Sequence, residues 1–168
     1  MNSAEAASRL ESRENALVST SWLAERTGQP GIRVLDASWY LPQMNRDAYA
    51  EYQAGHIPGA RFFDIDEITD RQNPLPHMMP DALAFARAVE ALCISDEDRV
   101  VVYDGSGANL SAARVWWMFR FFGHDDVAVL DGGMKKWRAE RRPLEEQGLP
   151  PAVHNGLAGA KFNARPRP

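Results

Sequence analysis

Apolar and polar residues along this chain fall in blocks that switch between a strand period and a helix period. Val100-Val101-Val102-Tyr103, entered from Arg99, is a short continuous apolar run, the pattern of a strand buried on both faces. Ile32-Arg33-Val34-Leu35-Asp36 and Val127-Ala128-Val129-Leu130 read as two more strands, and Arg61-Phe62-Phe63 as a brief fourth. Between them the period lengthens. Ser19 or Thr20 can cap a short helix through residues 22–26, closed by Gly28 and Pro30, and residues 47–52 predict another that stops at Gly55. Asp81 caps a helix ending near Leu92, with Phe85, Val89 and Leu92 on one face. In the helix from Ser111, Val115, Met118, Phe119 and Phe122 fall at i, i+3, i+4 and i+7, a core-facing stripe, and Gly123 ends it. Asp131-Gly132-Gly133 then turns into a last helix through Trp137. Strands alternating with helices predict an α/β fold, a mainly parallel central sheet with helices on both faces.

The 168 residues suffice for one domain with its own core and fall short of two ordinary ones. Residues 1–16 carry Glu5, Glu11 and Glu14 and no apolar stretch, which excludes a signal or transit peptide and predicts a disordered tail. Folded sequence is expected over residues 17–144. Pro150, Pro151, Gly156 and Gly159 mark residues 145–168 as a linker. A net charge of -4 argues against nucleic acid or an anionic membrane as partner, and no apolar run approaches a membrane span. A single cysteine leaves no internal disulfide, so a reducing cytoplasm is the expected home.

Chemistry concentrates after Tyr103. A strand running into Asp104-Gly105-Ser106-Gly107-Ala108-Asn109 and then a helix turns a ring of backbone N–H groups toward one point, a cradle for an anion. Loops of this kind support thiol chemistry when a Cys stands first, because the converging dipoles hold a thiolate. Here that place is taken by Asp104, which cannot accept sulfur and is expected to cap loop N–H groups instead. Gly105 and Gly107 give two glycines of a dinucleotide fingerprint, but Leu110 stands where the third would be. A Cys-dependent phosphatase fails on the same loop, since the nucleophile is missing and Arg114 lies within the helix.

Cys93, the one thiol, precedes Asp96-Glu97-Asp98 and reads as a buried helix-end residue rather than a nucleophile. His56, His77, His124 and His154 show no metal-ligand spacing. His77 stands out, eleven positions after Asp66 in a proline-rich loop of the kind that carries function. The run Trp116-Trp117-Met118-Phe119-Arg120-Phe121-Phe122 holds more aromatics than one helix face can bury at 100° per residue, so an outward surplus that meets a partner is expected.

These segments together resemble the rhodanese superfamily, specifically the N-terminal domain of two-domain sulfurtransferases of the thiosulfate and 3-mercaptopyruvate type. The likeness is carried by Val34-Leu35-Asp36-Ala37-Ser38-Trp39-Tyr40-Leu41-Pro42, Gly55-His56-Ile57-Pro58-Gly59-Ala60, Phe62-Phe63-Asp64-Ile65-Asp66, and His77-Met78-Met79-Pro80. Val101-Val102-Tyr103-Asp104, Arg114-Val115-Trp116-Trp117-Met118-Phe119 and Asp131-Gly132-Gly133 complete it, in order, from about Leu17 to Ala164. The resemblance implies a second, C-terminal rhodanese domain as partner, bearing the catalytic Cys, and small anionic sulfur donors as substrates. It implies that Asp66 and His77 assist catalysis from this half, and that no metal or organic cofactor is required. Asn163 stands where the family often has a substrate-binding Arg or Lys, with Arg165 close enough to substitute. The other reading, from a different class, is a free-standing non-catalytic rhodanese-fold module that binds a partner through its aromatic helix. A reading frame continuing past Pro168 into a Cys-containing domain separates the two.

Overall fold

Five short strands lie side by side, all parallel: β1 (Leu17–Val18), β2 (Ile32–Asp36), β3 (Arg61–Phe62), β4 (Arg99–Tyr103) and β5 (Val127–Leu130). The structure, a computed structural model, describes residues 16–147 and 160–168. In space the strands run β1-β5-β4-β2-β3, which puts β4, buried at every position, at the centre. Its side chains alternate between faces. Val100 and Val102 join a core with Phe85, Val89, Val115, Phe119 and Phe122, whereas Val101 and Tyr103 join one with Leu23, Tyr52, Leu130 and Trp137.

Two helices cover the first face: α3 (Ala82–Ala91) and α4 (Leu110–Phe121). On the second lie α1 (Thr20–Ala24), α2 (Ala48–Ala54) and α5 (Gly133–Ala139). Three N-termini are fixed by side-chain caps, of which Ser19 and Asp81 are expected from sequence, whereas Asp47, read there as part of its helix, caps it instead. Ser19 accepts from the Trp22 N–H at 3.1 Å, Asp47 from Ala50 at 2.9 Å, and Asp81 from Ala84 at 2.8 Å. Residues 64–80 form no regular element, as their prolines predict.

Three expectations change. Strand β1 is two residues long, too short for any periodicity, and exists through pairing of Leu17 with Val129 and Val18 with Leu130. The folded unit extends past residue 144. Glu145 exchanges both backbone hydrogen bonds with His56 at 2.9 Å, and Gln147 N–H donates to Gln53. Within the expected linker, residues 160–168 pack on the domain. Phe162 is 3% exposed between Phe85, Phe119 and His124, and the Arg165 and Arg167 N–H groups donate to Phe122 and Phe121. Proline and glycine composition marks a connection, but one aromatic with a vacant core position anchors it. The expected disordered tail, up to Asn15, and residues 148–159 of the expected linker lie outside the described residues.

The aromatic surplus on α4 is smaller than its sequence implies. Trp116 packs against the core and donates its indole N–H to the Val127 carbonyl at 3.1 Å, and Phe121 also packs inward. Trp117 is 43% exposed and Leu110 73%, one helical stripe facing outward.

Candidate functional site

Strand β4 runs into Asp104, whose side chain is fully buried. One carboxylate oxygen accepts from the Ser106 N–H at 2.9 Å and the Ser106 hydroxyl at 2.6 Å. The other accepts from the Ser111 hydroxyl at 3.1 Å and the Ala112 N–H at 2.9 Å. The residue that opens α4, Asn109, sits in the left-handed region at φ 53° and makes no cap with its own side chain. Asp104 does that work from across the loop. Its carbonyl meanwhile accepts from the Met134 N–H of α5 at 3.1 Å, so close that a Cβ on Gly133 would sit 2.8 Å from that oxygen. The cradle expected from sequence is built, and the protein's own carboxylate fills it.

Behind the loop stands a polar relay that the sequence did not single out. The Ser38 hydroxyl donates to Asp36 at 2.5 Å and accepts from the Gly105 N–H at 2.9 Å, which ties the loop to the end of β2. Burial pushes the Asp36 carboxyl up, against the hydrogen bonds from Ser38 that pull it down. Beside it, the Arg46 guanidinium lies 3.7 Å from the Tyr40 ring centre and binds Glu51 through two nitrogens, at 2.8 and 2.7 Å. Burial, then the Glu51 carboxylate, pushes the Tyr40 phenol up to about 12. Tyr40, Arg46, Ser106, Lys135 and Arg138 line a cleft of about 480 Å³ over the loop. An acidic residue ending a buried strand, with Ser two positions on, was the available signal.

The long loop brings Asp66 and His77 together. His77 Nε2 lies 2.6 Å from Asp66 Oδ1, and the Trp39 indole N–H reaches both Asp66 oxygens at 3.2 Å. Trp39 also meets the imidazole edge to face, with centroids 4.9 Å apart. His77 holds a left-handed backbone, φ 57°, and its carbonyl accepts from the Arg114 guanidinium of α4 at 2.7 Å. Sequence reasoning named the pair and missed Trp39 and Arg114 as its supports. No spacing rule connects them, since they lie on separate segments. Among the described residues His77 Nδ1 makes no hydrogen bond, which leaves that nitrogen free to exchange a proton with a group brought from outside.

Arg165 is not brought to this pair. Its backbone lies against Gly123, beyond the C-terminal end of α4, whereas Arg114 meets His77 near the helix start. It lines a separate cleft with Asp96, His124 and Asp125. Asn163 turns its side chain to Asp96 at 2.6 Å. Cys93 is buried at the end of α3 with φ 60°, as its helix-end reading expects. Among the described residues no three His, Cys, Asp or Glu side chains converge as a metal site would need.

A family model described as a rhodanese-like domain matches residues 19–140. Thiosulfate/3-mercaptopyruvate sulfurtransferase 1, mitochondrial, of Arabidopsis thaliana is 49% identical over 145 residues, 86% of this chain and 38% of that protein. The human 3-mercaptopyruvate sulfurtransferase is 50% identical over 82% of this chain and 48% of its own length. Bovine thiosulfate sulfurtransferase is 51% identical over 79% and 46%. This chain thus spans less than half the length of these relatives. Among solved structures, a 3-mercaptopyruvate sulfotransferase of Escherichia coli superposes with a TM-score of 0.77 at 36% identity, over 91% of this chain and 55% of that one. Parallel sheet, helices on both faces, strand-to-loop-to-helix cradle and family match converge, and the chain belongs to the rhodanese-like domain family.

Proposed function

We propose that this chain is the non-catalytic N-terminal half of a sulfurtransferase that moves sulfur from 3-mercaptopyruvate or thiosulfate to cyanide or a thiol. The nucleophile is a Cys on the active loop of a second rhodanese domain. The observation that carries the reading is the Asp66–His77 pair, held at 2.6 Å on a domain whose own cradle is closed by Asp104. The relatives' names supply the donors.

The chemistry gives the pair a task. A Cys thiolate attacks the sulfur of 3-mercaptopyruvate; an S–S bond forms, the C–S bond breaks, and its electron pair leaves as the enolate of pyruvate. That carbanion equivalent must gain a proton. An imidazole oriented by a carboxylate is suited to deliver one, the logic of any His–Asp couple. With thiosulfate the leaving group is sulfite, which needs no proton at carbon.

The test supplies a second rhodanese domain, fused or mixed, and measures pyruvate release from 3-mercaptopyruvate and thiocyanate from thiosulfate. This chain alone gives neither product. The combination gives both, and Asp66→Asn or His77→Gln lowers the 3-mercaptopyruvate rate more than the thiosulfate rate. Equal losses with both donors remove the proton-delivery role. Association without turnover turns the reading into that of a binding module.

A further inference from the structure

Within the Asp66–His77 pair, the ring is tied to the carboxylate, but the backbone that carries the ring is held in a conformation that an L-residue other than glycine rarely adopts, φ 57°. Such a backbone persists only where its surroundings fix it. Met78, next along, is fixed from within the loop: its carbonyl accepts from the Asp70 N–H at 2.9 Å and the Thr69 hydroxyl at 2.8 Å. The carbonyl of His77 itself is fixed from outside the loop, by Arg114 at 2.7 Å.

Arg114 is arranged for that contact. It rises from α4, whose opposite stripe is the first-face core, so its base does not move with the loop. Its guanidinium lies 5.0 Å from the centre of the Trp117 ring, one turn on, which limits its swing. No carboxylate among the described residues pairs with it, unlike Arg46, Arg99 or Arg167. Burial pushes its pKa down, a cost that a carboxylate partner would offset and a carbonyl offsets only in part. A half-buried cation spent on one backbone carbonyl points to geometry, rather than charge pairing, as its use.

We propose that Arg114 is the positioning residue of the Asp66–His77 pair: by clamping the His77 carbonyl it holds the imidazole Nε2 on Asp66. The inference rests on the assisting role given to that pair above. Arg114 touches neither donor nor acceptor and acts through His77.

The first measurement needs only this chain. An imidazole N–H held on a carboxylate at 2.6 Å gives a downfield proton resonance in NMR spectra, assigned by its loss in His77→Gln. Arg114→Met removes that resonance and Arg114→Lys, which can still donate to the carbonyl, retains it, with the melting temperature of each variant confirming a folded domain. The second uses the chain joined to a catalytic rhodanese domain. Arg114→Met lowers kcat for 3-mercaptopyruvate on the order of 10–100-fold, the scale of a small misplacement of a reacting group, with KM near wild type and restoration by Arg114→Lys. A resonance unchanged in a folded Arg114→Met overturns the proposal. So does an unchanged kcat while Asp66→Asn and His77→Gln remain impaired. Full activity in those two variants instead sinks the assisting role, whatever Arg114 does.

Discussion

The carboxylate of Asp104 takes the backbone N–H of Ala112 at 2.9 Å, reaching past the residue that formally caps the helix. Eight positions of chain are folded into one turn around that bond. The same oxygen atoms bind Ser106 and Ser111, so a single side chain closes the loop, starts α4 and occupies the centre of the cradle. In a catalytic loop that centre has to stay open to a thiolate and its cargo. Here the Asp104 side chain fills it, and its hydrogen bonds join the loop to the start of α4.

Replacing Asp104 by Ala therefore costs more than an ordinary cap. Four donors lose a fully buried acceptor, and the expected loss is about 3 kcal/mol in urea unfolding. A loss near 1 kcal/mol, the size of a simple surface cap, would mean that water takes over the site.

Acid unfolding should report on Arg46 and Glu51. Hydrogen bonding from Arg46 holds the Glu51 carboxyl below its ordinary 4.5. The folded value is the lower one, so the unfolded chain takes up the proton first as pH falls. The pair's contribution is complete above about pH 4.5 and is lost as pH drops through the folded value. Glu51→Gln should flatten that part of the stability profile and leave the two proteins converging at lower pH. With the carboxylate 42% exposed, the effect is modest. A slope below pH 4.5 identical in both proteins counts against the linkage.

Phe162 is expected to behave as a core residue despite its place in a proline- and glycine-rich stretch. Phe162→Ala should lower stability by roughly 3–5 kcal/mol, as in other buried aromatic truncations. Loss of less than about 1 kcal/mol would show that the segment lies on the domain without holding it.

Trp116 and Trp117, adjacent in sequence, should separate cleanly. Trp117→Ser changes unfolding stability by less than about 0.5 kcal/mol and weakens association with an added second domain, measured by size exclusion. Trp116→Phe leaves the Val127 carbonyl without its indole donor and costs about 1 kcal/mol while association is retained. Equal effects of the two on association would remove the case for a docking stripe through Trp117.

Most of the architecture was legible because burial on two faces leaves a strong mark. Three consecutive valines in β4, each fully buried, mark a central strand of a covered sheet, and Ser19 and Asp81 announce their helices by a local bond three residues on. What stayed hidden depends on partners distant in sequence. Strand β1 owes its existence to β5, and Phe162 owes its burial to Phe85 and Phe119. The site divides the same way. Asp66 and His77 share a loop and could be singled out, whereas Ser38, Trp39 and Arg114 reach their contacts across the tertiary structure, which no periodicity encodes.

The pairing of Leu17 with Val129 sets an order of events during synthesis. A strand at the start of the described chain has no place in the sheet until β5 has been made, 112 positions later (129 − 17). At a ribosome's pace of about 5–20 residues per second, Leu17 and Val18 wait on the order of ten seconds for their neighbour. Closing so long a loop comes late in folding as well, because its entropy must be met before the strand contacts reward it. The β2–β4 centre can assemble while β1 is still loose, so the first edge of the sheet to be translated is the last to be sealed.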